Sequence, residues 1–179
     1  MIDVKLRIST ENAVNLLYQV GCSPRVIEHC LIVSNLASKL TMELKKKGVK
    51  VDLKLVKIGA LLHDIGRSQT HSIRHAIVGA DIARTHNLPI AIIRIIERHI
   101  GSGIPACEAK ELGLPVRDFI PKTLEEKIVM YSDNLVEGRR EISYEKAFQK
   151  FANELGETHT MLDRFKQIRN ELRQLGSSY

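Results

Sequence analysis

The stretch Leu61-Leu62-His63-Asp64-Ile65-Gly66 decides how this chain is read. Apolar residues on a helical period run into an adjacent His–Asp pair, and a glycine then stops the helix. Imidazole and carboxylate are metal-ligating groups, and a helix end is where water and substrate reach them. A complete metal site at this corner needs further His and Asp residues from other helices.

Upstream, Asp52 is an N-cap for the helix that carries Leu55, Val56, Ile58, Leu61 and Leu62 into the His–Asp pair. Before it, Ser23-Pro24 is a strong start signal, with serine as cap and proline at the first helical position. The helix that follows should run to about Lys47 and end at Gly48. Val26, Val33, Leu36 and Leu40 form its apolar stripe, and His29 lies on that stripe. Thr10-Glu11 opens a shorter amphipathic helix ending at Gly21.

Downstream, residues 67–72 are polar and read as a loop. A helix over about 73–85 places His75, Val78, Gly79 and Ile82 on one face. Pro89 starts another, in which Ile92, Ile95, Ile96 and His99 share a face. Residues 100–122, rich in Gly and Pro, form the longest irregular stretch, and such loops in compact domains are often functional. Thr123 caps a helix carrying Ile128, Val129, Met130, Asp133 and Val136 to Gly138. Two more helices follow near 144–155 and 157–175, the second with Met161, Leu162, Phe165, Ile168 and Leu172 at core spacing. No strand pattern or repeat is visible, and Ser177-Ser178-Tyr179 is expected to fray. The class is all-α, a single helical bundle over 1–179.

The 179 residues are 44% hydrophobic and 27% charged, enough for a real core and against disorder. There is no Trp, and aromatics at 4% argue against base-stacking platforms for single-stranded nucleic acid. The net charge of +6 is spread: residues 1–58 hold 10 Lys+Arg against 5 Asp+Glu, while 101–138 hold 4 against 7. A nucleic-acid partner is therefore not expected, and an oligomer is left open. The lysines from Lys45 to Lys57 read as a solvated helix end and loop, with attraction of an anionic ligand as the functional alternative. Cys22, Cys30 and Cys107 form no CxxC pair and no even framework, so they read as free thiols in a reducing compartment. No signal-like segment is present and no apolar run approaches the roughly 18 residues of a membrane span, so no membrane partner and a cytoplasmic location are expected.

His29, His63 with Asp64, His75, His99 and Asp133 lie on or beside apolar stripes of five helices. A lone histidine there is ordinarily a satisfied core residue. A carboxylate such as Asp133 is costly there unless paired or bound to a cation. Together, four histidines and two aspartates make a site for one or two transition metals.

On these residues the chain resembles the HD superfamily of metal-dependent phosphohydrolases. The pattern is an upstream His (His29), the His63-Asp64 doublet and a downstream Asp (Asp133), and His63-Asp64-Ile65-Gly66 has the HDIG form. The resemblance runs from about 24 to 138 and leaves the helices over 144–175 as additions. Arg74-His75-Ala76-Ile77-Val78-Gly79-Ala80 resembles the His-x-x-x-Gly-Ala segment of the binuclear HD enzymes. Arg98-His99-Ile100-Gly101-Ser102-Gly103 resembles their further His and its Gly-containing loop. Both segments occur in bacterial HD enzymes that hydrolyse diadenosine tetraphosphate, the kind nearest in pattern.

The resemblance implies a phosphohydrolase that cleaves a small nucleotide-like phosphomonoester or phosphoanhydride through a metal-bound hydroxide. His29, His63, Asp64 and Asp133 would hold one divalent cation, His75 and His99 a second, and Asp64 would bridge them. Iron or manganese is expected ahead of zinc or magnesium. Asp64, Asp133 and Arg67 form the expected catalytic set, with Arg67 standing where many HD enzymes carry Lys. Asn134 likewise follows Asp133 where related enzymes often have Lys. Substrate contacts are expected from Arg67, His71, Ser102, Gly103 and Arg139, with Arg98 and Arg140 as lesser candidates. The competing reading is a non-catalytic HD module that binds a nucleotide and regulates a partner. Its mark would be an eroded ligand set, and all six positions are intact.

Overall fold

Short polar side chains write most of the helix starts, by taking up amide groups that would otherwise lack a partner. In the computed structural model, which describes residues 8–179, Ser9, Ser23 and Asp52 cap α1 (Thr10–Gln19), α2 (Pro24–Lys46) and α3 (Leu53–Leu62). The first seven residues of the expected domain lie outside the described ones. Next come α4 (His75–Thr85) and α5 (Ile90–Arg98), which starts directly after Pro89. After α6 (Ala106–Glu111), Thr123, Ser143 and His159 cap α7 (Leu124–Asn134), α8 (Tyr144–Leu155) and α9 (Thr160–Gln174). The chain is an all-α helical bundle with very little sheet.

Three sequence expectations are corrected. The 100–122 stretch contains α6 and a bridge between Ile104 and Phe119, so it is folded onto the body and is not one irregular loop. The helix bearing Asp133 ends at Asn134, not Gly138, because Leu135 leads into a hairpin. There, β1 (Val136–Glu137) pairs antiparallel with β2 (Arg140–Glu141) around Gly138-Arg139. Gly138 takes φ +60°, as the first position of such a two-residue turn requires. The C-terminus does not fray: Ser177 is buried, and Ser178 donates from its amide and hydroxyl to Glu43 at 3.0 and 2.9 Å.

Two apolar clusters fill the interior, and α2 and α3 contribute to both. In one, Leu36, Leu40 and Val56 meet Val129 and Tyr131 of α7 and Phe165 of α9. In the other, Ile27, Ile58, Leu62 and Ile65 meet Ile82 of α4 and Ile92 of α5. These packings bring the polar face of α2, the end of α3, the starts of α4 and the ends of α5 and α7 to one place.

Gly66 has a different role from the helix stop expected of it. It lies in a 3-10 turn (Ile65–Ser68) and is absent from the glycines with positive φ among the described residues. A Cβ on Gly66 would sit 2.0 Å from the His75 carbonyl oxygen and 2.5 Å from the Gly79 amide nitrogen. Gly79 is less tightly confined, with a Cβ placed 2.9 Å from Ile96 Cγ2 and 3.0 Å from the Gly66 nitrogen. The two glycines let the backbone after the His–Asp pair press directly on the first turn of α4. Gly66→Ala is expected to destabilise the fold by about 1–3 kcal/mol or more, because backbone must move to admit the methyl group. Urea denaturation followed by circular dichroism measures this.

Glu97, buried on α5, receives Arg84 of α4 at 2.5 Å and Arg117 of the 100–122 segment at 2.8 Å. Burial pushes its carboxyl pKa up, but the hydrogen bonds from Arg117 and Arg84 outweigh burial and hold it below the ordinary value of 4.5. The ionised group therefore contributes stability that is fully present above pH 4.5 and is lost as pH falls through the lower folded value. Thermal unfolding across pH 3 to 6, on the order of the range where glutamate titrates, should show this loss in the native chain and a flatter profile in Glu97→Gln.

Candidate metal centre

Three histidines are oriented by one local device. Nδ1 of His63 donates to the Ala60 carbonyl at 2.7 Å, Nδ1 of His75 to Ser72 at 2.8 Å, and Nδ1 of His99 to Ile96 at 2.7 Å. Each carbonyl lies three residues earlier and can only accept, so the network assigns the proton to Nδ1 and leaves Nε2 as a potential ligand atom. The Nε2 atoms of His75 and His99 face each other at 3.0 Å. Two neutral rings would oppose lone pairs at that distance, and a shared proton or a cation relieves the conflict.

Asp64 joins the four histidines. Its Oδ2 lies 3.9 Å from His29 Nε2 and 3.7 Å from His63 Nε2, and its Oδ1 lies 3.1 Å from His75 Nε2 and 3.5 Å from His99 Nε2. Each carboxylate oxygen thus faces its own pair of histidines. Asp133 Oδ1 is 2.9 Å from His29 Nε2 and 3.3 Å from His63 Nε2. Among the described residues, His63 Nε2 and Asp64 Oδ1 are buried and find no hydrogen-bond partner, the two residues being only 0% and 3% exposed. Orphaned buried polar atoms are costly, and a cation satisfies both at once. His29, His63 and Asp133 form one group able to hold a metal ion, and His63, Asp64 and His99 form another. The donor set, imidazole nitrogen with carboxylate oxygen, fits a divalent transition metal.

The electrostatics follow from crowding. Burial works against a charged His63, but Asp133 and Asp64 outweigh it and raise its pKa well above the ordinary value. Burial also opposes ionisation of Asp64, yet His63, His75 and His99 hold its pKa well below the usual carboxylate range. His63 and His29 overcome burial at Asp133 in the same way. His99 is pushed down, by burial and by the neighbouring His63 and His75, against the pull of Asp64.

A cavity of about 340 Å³ opens beside this cluster, lined among others by Arg25, His29, Asp64, Arg67, His71 and Gly138. Arg67 donates from Nε to Asp64 Oδ2 at 2.6 Å, and His71 stands exposed at the cavity mouth. The expected substrate contacts Ser102 and Gly103 lie elsewhere. Ser102 is fully buried and donates its hydroxyl to the Met161 carbonyl at 2.6 Å, which ties the loop after His99 to α9. Gly103 packs against Ile120 and Pro121, where a Cβ would lie 3.0 Å from backbone and 2.8 Å from the proline ring. Arg139 is exposed, pairs with Glu28 and does not line this cavity but the one adjoining it. Arg98 is spent inside the fold: its Nη1 donates to both Glu126 oxygens at 3.0 and 2.9 Å, pinning the end of α5 to the start of α7. Asn134 donates to the Gly101 carbonyl at 2.6 Å. Arg25 of the cavity wall had no sequence signal beyond its place in the first turn of α2.

The HD domain family matches residues 26–138, which include every residue of the cluster. The chain belongs to the HD domain family. An uncharacterised protein of Methanocaldococcus jannaschii is 46% identical over 165 residues, covering 92% of this HD chain and 97% of that protein. A tRNA (cytidine(56)-2'-O)-methyltransferase of Picrophilus torridus is 47% identical over 124 residues, which span 69% of this chain but 36% of the methyltransferase. The HD domain of the L. monocytogenes phosphodiesterase PgpH, solved in complex with cyclic-di-AMP, has a TM-score of 0.58 at 20% identity over 88% of this chain and 93% of that one. That likeness establishes the HD fold. Among the described residues, no helix is long and apolar enough to cross a membrane.

Metal content reads the centre directly. Asp64→Ala and His63→Ala are expected to lower bound metal at least about tenfold after reconstitution and desalting, with the helical circular dichroism retained. Full metal content in both variants would dismiss the cluster as a metal site.

Proposed function

We propose that this HD chain is a metal-dependent phosphohydrolase acting on a nucleotide-like substrate, with iron or manganese ahead of zinc or magnesium at the centre. The observation that carries the reading is the pair of orphaned buried atoms, His63 Nε2 and Asp64 Oδ1, set beside a cavity that also presents Arg67 and His71. His29, His63, Asp64 and Asp133 would hold one cation, and His75, His99 and Asp64 a second. When bound, divalent cations supply Lewis acidity, drawing charge from the phosphoryl group and acidifying the attacking water. Asp133 orients that water, its Oδ1 steadied by His29 at 2.9 Å. Arg67 binds a phosphoryl oxygen: Asp64 engages its Nε, and among the described residues no partner takes its terminal nitrogens, which leaves them to donate. His71, at the mouth, passes a proton to the leaving oxygen. The cyclic dinucleotide in the PgpH complex supports a nucleotide, and a phosphodiester in particular, as the substrate class.

The alternative is a nucleotide-binding module that regulates a partner without turnover. The two readings part in one experiment: protein loaded with Mn²⁺ is given p-nitrophenyl phosphate, bis-(p-nitrophenyl) phosphate, a cyclic dinucleotide and a dinucleoside tetraphosphate. Hydrolysis of at least one is expected, abolished by chelation and reduced about 10²-fold or more in Asp64→Ala. Binding without turnover by fully metal-loaded protein would favour the regulatory module.

A further inference from the structure

The cavity at the metal centre does not end at the metal ligands. A second cavity of about 540 Å³ is lined by Arg25, Glu28, Glu137, Arg139 and Arg140, and the two share Arg25 and Gly138. They form one groove that runs from Asp64, past the first turn of α2, to the tip of the β1–β2 hairpin. Three arginines stand along its outer part. The two carboxylates there are already engaged: Glu28 by Arg139 at 2.7 Å, and Glu137 by Lys146 at 2.9 Å and Lys150 at 3.2 Å. Among the described residues, no carboxylate forms an ion pair with Arg25 or Arg140. The outer groove therefore keeps an uncompensated positive charge, and it leads to a buried carboxylate oxygen that lacks a hydrogen-bond partner.

We infer that this outer groove is a second phosphate subsite, which holds a phosphate one unit away from the one at the metal centre. Arg140 is the specificity-determining residue, with Arg25 between the two positions. The inference rests on the phosphohydrolase reading and refines its substrate class to molecules with at least two phosphates along a chain. Guanidinium suits this task because its planar fork binds phosphate oxygens in pairs. The hairpin gives Arg140 a fixed place, since Glu137 and Arg140 are paired across a two-residue turn. Free monoesters reach only the inner cavity. The same chemistry serves a linear oligonucleotide, whose second phosphate is a diester or a terminal group, and a nucleoside polyphosphate, whose second phosphate is an anhydride.

The test compares Mn²⁺-loaded native chain with Arg140→Ala, Arg140→Glu and Arg140→Lys. The substrates are bis-(p-nitrophenyl) phosphate, the dinucleotide ApA, its 5′-phosphorylated form and a dinucleoside tetraphosphate. The ratio of kcat/KM for 5′-phosphorylated over unphosphorylated ApA should fall about tenfold in Arg140→Ala, mainly through KM. It should fall further in Arg140→Glu and be largely restored in Arg140→Lys. A gain confined to the tetraphosphate would identify the occupant as a polyphosphate; a gain on the phosphorylated dinucleotide would identify a nucleotide chain. Fluorescence anisotropy with labelled, 5′-phosphorylated ApA on metal-free protein reads the subsite without turnover and should show the same ranking. If none of the substrates is hydrolysed but the binding ranking holds, the hydrolase reading fails and the subsite stands. An unchanged ratio with unchanged binding in both Arg140→Ala and Arg140→Glu overturns the subsite.

Discussion

The contact on which the rest depends is backbone against backbone. Gly66 and Gly79 have no side chains between them, so the turn after Asp64 rests on the first turn of α4. That contact fixes the separation between Asp64 and His75, which sit 3.1 Å apart at their ligand atoms. It also explains why α4 begins with a histidine at that point: the ligand is carried on the turn that the glycine admits. A bulkier residue at Gly66 would push on the backbone of α4 and so widen the site, while one at Gly79 would also press on Ile96 and Ile65 of the apolar cluster.

The histidines repeat a second economy. At the ends of α3 and α5 and the start of α4, the carbonyl three residues earlier is available to receive Nδ1. At the ends of α3 and α5 the helix thus satisfies one of its own last-turn carbonyls and aims a ligand with the same hydrogen bond, while before α4 the Ser72 carbonyl accepts from both the His75 amide and its ring. His29 differs: it sits in the middle of α2, and its partner is a side chain, Asp133, on another helix. Three of the six candidate ligands are therefore set by local geometry close to a helix end, Asp64 follows from adjoining His63, and His29 and Asp133 are set by the packing of α2 on α7.

What could be read from the chain follows this division. Ser23-Pro24, Asp52 and Thr123 act within a turn of themselves, so the starts of α2, α3 and α7 were legible. The six candidate ligands were legible as a set because each interrupts an apolar stripe, and the family pattern joined them. The two-residue strands of the hairpin and the six residues of α6 are too short for any period to show. Ser102 read as part of a Gly-Ser-Gly loop open to substrate, but its hydroxyl is claimed by a carbonyl 59 residues away. Arg98 beside His99 looked like a phosphate contact until Glu126, 28 residues on, took it. Gly66 looked like a stop signal because its true neighbour, the start of α4, comes from across a loop. Each of these misreadings involves a partner that sequence spacing cannot reveal.

The tie between Asn134 and Gly101 bears on how the molecule opens. Asn134 follows Asp133, and Gly101 lies two residues after His99, so one hydrogen bond joins the chain beyond both. Arg98 and Glu126 join the same two helices at a second point. Fluctuations that free the segment after His99 must then also loosen the end of α7. The two regions belong to one cooperative unit, whose amides should exchange with solvent together. The centre would come apart in a single opening event rather than ligand by ligand, and anything that held it closed would slow exchange across both helices at once.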